Sequence, residues 1–116
     1  MRLGHTEIFV KDPAEARAFY ENVLGFEVTA VQGGTFVWLE KDGREFLLRP
    51  GRRAEGASEY EGTNVALVLY CDDLEDTMEE LIDRGLSFRG NDGSEECPTF
   101  TDPDGNWFQL VNPGDH

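Results

Sequence analysis

The chain repeats itself, and that periodicity limits its possible folds more than any other feature. Asp12 and Pro13 open a stretch in which Ala16, Phe19, Tyr20, Val23 and Leu24 share one helical stripe, closed by Gly25. An aspartate side chain accepts from the open N–H groups of a first helical turn, proline has the right φ for the first helical position, and glycine adopts the left-handed conformation that ends a helix. The second half repeats the device with Asp73, then Leu74, Met78, Leu81 and Ile82, then Gly85, which lies 60 residues after Gly25. Each helix follows an alternating segment, HTEIFV or NVALVLY, and precedes strand-like stretches divided by turn formers. DGREFLLRP and DGNWFQLVN both leave an Asp-Gly turn as an apolar strand, at an offset of 62 residues. The pattern predicts strands near 4–10, 26–31, 35–41, 44–49, 63–71, 86–90, 97–101 and 106–112, with one helix after the first strand of each half. The expected fold is α+β: a βαβββ repeat over 1–50, a polar, glycine-bearing linker over 51–61, and a second βαβββ repeat over 62–116, together one structural domain.

Alternation sorts every strand into two faces. In the first strand Thr6, Ile8 and Val10 take the helix side, which leaves His5, Glu7 and Phe9 facing the other way. Asn64, Ala66, Val68 and Tyr70 form the matching set, with Asn64 in the place of His5. With Asp42 and Gly43 as a two-residue hairpin turn, Trp38 falls opposite Leu47, Phe36 opposite Arg49 and Glu40 opposite Glu45. Phe46, Leu48, Phe108 and Leu110 then go to the helix side, while Glu45, Leu47, Arg49, Trp107, Gln109 and Val111 share the other face. Gln109 is the odd member of the run WFQLV. A buried amide without partners costs roughly 1–3 kcal/mol, so Gln109 is expected to meet water, a neighbour or a ligand.

Acidic residues outnumber basic ones 24 to 10, for a formal charge of −14. That field repels phosphate backbones and anionic lipid, and argues against nucleic-acid and membrane partners. A surface with two lysines against eight arginines suits a salt-rich cytosol, or simply solubility in an ordinary host. The N-terminus alternates where a signal peptide would be continuously apolar, and the longest apolar run, Val65 to Cys71, is far short of a membrane span. Cys71 and Cys97 lack metal-ligand spacing and read as reduced thiols, a disulfide between them being the alternative. The expected location is cytoplasmic. No nucleophile elbow, phosphate loop or dinucleotide fingerprint is present. Asp102, Asp104 and Gly105 read as turn formers.

LGHTEIFVKDPAEARAFYENVLGF and FTDPDGNWFQLVNP resemble the opening and closing signatures of the vicinal oxygen chelate superfamily, which includes glyoxalase I, bleomycin-resistance proteins, fosfomycin-resistance enzymes and extradiol dioxygenases. The resemblance spans essentially the whole chain. It implies mixed sheets curled around a concave cavity, and commonly a homodimer. In metal-using members four side chains in that cavity hold a divalent ion. Residue by residue, those positions are here His5, Leu47, Asn64 and Gln109.

His5 is a good ligand, Leu47 has no donor atom, and Asn64 and Gln109 offer neutral amide oxygens. His5 therefore reads either as a ligand or as a pocket histidine bonded to Glu7 or Gln109. Glu7 and Glu45 point the same way and are the candidate general bases or replacement ligands, Glu45 lying roughly 7 Å along the strand from the expected position. Phe36, Trp38, Tyr70 and Trp107 read as core aromatics or as the lining of a ligand cavity. Arg49 reads as a solvated rim residue or as the anchor for an anionic group. The expected function is capture of a small organic molecule in an aromatic-lined cavity without a cofactor. The alternative is a lyase, isomerase or dioxygenase dependent on Zn, Ni, Fe, Mn or Mg, with His5, Glu45 and Gln109 as candidate ligands.

Overall fold

The computed structural model describes residues 1–51 and 56–115. Within the expected linker over 51–61, residues 52–55 therefore lie outside the described residues. The chain divides into two compact units, Met1–Ala54 and Glu55–His116.

In the first unit, β1 (Thr6–Val10) leads into α1 (Pro13–Ala18), followed by β2 (Glu27–Gln32), β3 (Phe36–Lys41) and β4 (Arg44–Pro50). The sheet order is β1-β4-β3-β2, with β1 parallel to β4 and the other pairs antiparallel. Asp12 caps α1, its Oδ1 accepting from the Ala14 N–H at 3.0 Å. After α1 the chain widens into a π turn over Phe19–Val23, where the Leu24 N–H reaches back to the Phe19 carbonyl at 3.2 Å. Gly25, at φ 75°, ends it. The turn keeps Tyr20 wholly buried, edge-on to Phe26 at 5.5 Å, with Phe26 in turn 5.2 Å from Phe46. Ile8, Val10, Ala16, Val37, Leu39 and Leu48 complete this apolar side.

Asp42 and Gly43 both have positive φ, 52° and 78°, as a two-residue I′ turn requires. The turn sets Trp38 opposite Leu47 and Glu40 opposite Glu45, as expected. Glu40 turns from the facing carboxylate and accepts from the Gly43 N–H at 2.6 Å.

In the second unit, β5 (Leu67–Tyr70) precedes α2 (Leu74–Asp83), which Asp73 caps through the Asp76 N–H at 3.1 Å. β6 (Thr99–Thr101) and β7 (Trp107–Val111) follow, in the sheet order β5-β7-β6 with β5 parallel to β7. Phe108 and Phe100 are wholly buried and stack at 5.1 Å, and Phe88 meets Phe100 edge-on at 5.7 Å. Ile82, assigned by its spacing to the apolar stripe, is 53% exposed.

The expected strand over 63–71 forms only from Leu67, and 86–90 forms no strand. Gly90, at φ 74°, breaks the extended run, and Pro98 opposite Asn91 has no N–H to offer a ladder. What remains there is a pair of backbone bonds, Arg89 N–H to the Thr99 carbonyl at 2.7 Å and Thr99 N–H to the Gly90 carbonyl at 3.0 Å. The second Asp-Gly also differs from the first. It lies in a longer loop organised by Asp102, whose buried Oδ1 accepts from the Asp104 and Asn106 N–H groups, each at 2.9 Å. Both sheets are open. Among the described residues no helix is long and apolar enough to cross a membrane.

Candidate functional site

In the first unit the face turned away from Ile8, Val10, Val37 and Leu48 gathers Glu7 and Phe9 from β1, Phe36 and Trp38 from β3, and Leu47 and Arg49 from β4. His5, just before β1, joins them. Glu7 is the hub of this set. Its Oε1 accepts from Arg49 Nη1 at 2.8 Å and its Oε2 from His5 Nε2 at 2.9 Å. The His5 ring stands edge-on to Trp38 at 4.7 Å, and Trp38 Nε1 donates to Gln32 Oε1 at 3.0 Å. The Arg49 guanidinium carbon lies 5.6 Å from the centre of the Phe9 ring and 5.5 Å from that of Phe36, both within cation–π reach. Gly51 makes room for this arrangement, since a Cβ there would come within 2.6 Å of the Phe9 ring. Leu47 is buried, and Glu45 sits exposed at the turn end of β4.

The Arg49 hydrogen bond, and after it the bond from His5, hold the Glu7 carboxyl below its ordinary value of 4.5. A carboxylate depressed by folding stabilises the fold above its unfolded value, and that contribution is lost as pH falls through the lower folded value. Wild-type protein is therefore expected to exceed the Glu7→Gln variant in urea midpoint near neutrality, and the gap is expected to close as pH falls below the ordinary carboxyl value of 4.5 and through the lower folded one. A gap that stays constant with pH would show that the Glu7 charge has no part in it.

In the second unit Gln109 has both ends of its amide engaged. Its Oε1 accepts from the Tyr60 hydroxyl at 3.0 Å, and its Nε2 donates to Asp92 Oδ2 at 2.9 Å. Trp107 Nε1 donates to the Ala57 carbonyl at 3.0 Å. Arg89 lies over the Trp107 ring at 4.7 Å and donates to the Ser58 carbonyl at 3.3 Å. Segment 57–60 is thus strapped to the face of β7 that carries Trp107 and Gln109. A cavity of about 330 Å³ lies beside it, with Ser58, Tyr60, Arg89, Asn91 and Trp107 in its wall. Burial, and after it the nearby Asp92 charge, push the Tyr60 hydroxyl pKa up. Burial likewise raises that of the Cys97 thiol against an opposing hydrogen bond with Gln109. Cys71 and Cys97 are both present as thiols.

Two of the expected site residues, Asn64 and Tyr70, lie in the open. Asn64 is exposed on a bend ahead of β5. Glu7 pairs with Leu47 and Val68 pairs with Gln109 in the two parallel ladders, so the residue matching His5 is Ala66. Tyr70 is on the expected face of β5, but it is 75% exposed and does not line an enclosed wall. Tyr60, Arg89 and Asp92 were not anticipated. Tyr60 fell in the linker, where its signal was to be the lone aromatic in GRRAEGASEYE.

Of the positions that the family resemblance implies for a divalent ion, the first unit carries His5 and Leu47, and the second carries Gln109, with Ala66 at the place that the ladder register matches to His5. Two have no donor atom, and the third is an amide already bonded at both ends. Within the first unit one imidazole beside an apolar side chain, and within the second an apolar side chain and a committed amide, do not fit a resident cation. Among the described residues no group of three or more His, Cys, Asp or Glu side chains is placed to hold a metal ion.

A model of the Glyoxalase/Bleomycin resistance protein/Dioxygenase superfamily matches residues 2–110. The uncharacterized protein YetH of Bacillus subtilis is 29% identical over 118 residues, covering 94% of this chain and 96% of YetH. Lactoylglutathione lyase from Agrobacterium tumefaciens superposes with a TM-score of 0.71 at 17% identity, over 97% of this chain and 93% of the other. The fosfomycin resistance protein FosX from Listeria monocytogenes superposes with a TM-score of 0.72 at 19% identity, over 96% of this chain and 90% of the other. At these identities the two structures share the fold with this chain.

Proposed function

We propose that this chain, which belongs to the glyoxalase/bleomycin resistance protein/dioxygenase superfamily, captures a small organic molecule with its own side chains and without a resident metal. Neighbours of the same fold include a lyase and a resistance protein, so the fold leaves the choice to the site. The observation that carries the reading is made within each unit: Leu47 gives the first no donor beside His5, and in the second Gln109 is already bonded to Tyr60 and Asp92. A lyase, isomerase or dioxygenase of this family would need a cation held at those positions. The ligand face is the one bearing His5, Phe36, Trp38 and Arg49, where aromatic rings stand beside polar groups, as small-molecule sites require.

The reading includes a homodimer in the cytoplasm. Phe9 and Val31 on the edge strands β1 and β2, and Val68 and Tyr70 on the edge strand β5, are 45% exposed or more, and such apolar edges call for cover.

A thermal-shift screen of small organic compounds on chelator-treated protein tests this reading. Compounds that raise the melting temperature are expected without any added cation, and Trp38→Ala is expected to lose their effect. If stabilisation appears only after a divalent metal is restored, the capture reading is wrong.

A further inference from the structure

We infer that Arg49 anchors the bound molecule through an oxyanion, so that the ligand is a small carboxylate-like anion on a flat apolar body; this rests on the metal-free capture proposed above. A guanidinium presents two faces and an edge of five N–H donors. Phe9 and Phe36 both lie at cation–π distance from the Arg49 guanidinium, and its hydrogen-bonding partners come in the plane of the group, where the N–H donors point.

In that plane Glu7 takes one donor, Nη1, with a single oxygen, because its other oxygen is held by His5. An arginine matched to a carboxylate normally pairs through two parallel bonds. Among the described residues no hydrogen-bond acceptor meets the second edge, formed by Nη2 and Nε. Nε is buried there, and a buried donor without an acceptor is destabilising. A ligand carboxylate that displaces the groups covering the Nη2–Nε edge would supply the missing acceptors with both of its oxygens, in the geometry that guanidinium favours.

The aromatic flanks also hold the fork in place before the ligand arrives, which lowers the ordering cost of binding. Phe9, 49% exposed, and the partly exposed Phe36 and Trp38 on the same face offer flat apolar surface to the rest of the molecule. The chain's charge of −14 opposes anions at a distance. That field is screened within about 8 Å at physiological ionic strength, and at contact the guanidinium is the nearer charge.

Three probes of one shape separate the possibilities: benzoate, benzamide and benzamidine, titrated into chelator-treated protein and followed by nitrogen–proton NMR. Benzoate is expected to bind at least about tenfold tighter than either of the others and to shift the Arg49 Nε–H resonance, and Arg49→Met is expected to erase the preference. The wild-type comparison needs no variant, so the inference can fail even where Arg49→Met does not fold. Equal or tighter binding of benzamide or benzamidine, or no binding of benzoate, overturns the anion anchor and leaves metal-free capture standing. Benzoate binding that appears only after a divalent metal is restored overturns both.

Discussion

Replacing Phe108 with alanine will lower the free energy of unfolding by about 3–5 kcal/mol. Phe108 is wholly buried on β7, the central strand of its sheet, and its ring lies nearly parallel to Phe100, with 4° between their planes. Ladders on both sides pin the backbone of a central strand, so its neighbours cannot close over the hole, and the lost transfer energy is joined by the energy of a cavity. A single domain holds roughly 5–15 kcal/mol in reserve, so the variant will sit near the limit of folding. Urea titration followed by far-ultraviolet circular dichroism measures the change. A loss below about 1 kcal/mol would mean that the Phe100–Phe108 stack is not part of a packed core.

Gln109→Leu is expected to lower stability by about 2 kcal/mol, combining a neutral hydrogen bond to Tyr60 with a stronger one to the Asp92 carboxylate. Tyr60→Phe in the wild-type background should cost about 1 kcal/mol, and in the Gln109→Leu background almost nothing, because the two changes remove the same bond. Independent, additive losses in that double-mutant cycle would contradict the strap. The experiment bears on function as well. An amide reserved for a cation would leave the metal-free protein indifferent to its loss, whereas an amide that fastens segment 57–60 to β7 will not.

The parts legible in the sequence were those governed by local chemistry. Asp12 and Asp73 cap helices where an aspartate precedes an amphipathic stripe, and Asp42-Gly43 sets the pairing of Trp38 with Leu47 because a two-residue turn allows a single register. The parts that were not legible depend on distant partners. Tyr60 meets Gln109 across 49 residues of sequence, and a segment without periodicity carries no sign of such a bond. Residues 86–90 alternate as a strand does, but the ladder fails through Gly90 and through Pro98 on the opposing segment. Asn64 was placed by counting along a repeat whose offset is not constant. Asn64 lies 59 residues after His5, whereas the two glycines lie 60 apart and the Asp-Gly turns 62, so neither offset carries His5 to it. The pairings Glu7 with Leu47 and Val68 with Gln109 resolve it in favour of Ala66.

The metal content of the protein, purified without a histidine tag and then gel-filtered after loading in turn with Zn, Ni, Fe, Mn and Mg, bears most directly on how this chain works. One imidazole beside Leu47 in the first unit, and a committed amide in the second, predict less than about 0.1 equivalent retained per chain for each cation. Retention of about one equivalent that His5→Ala abolishes would contradict it.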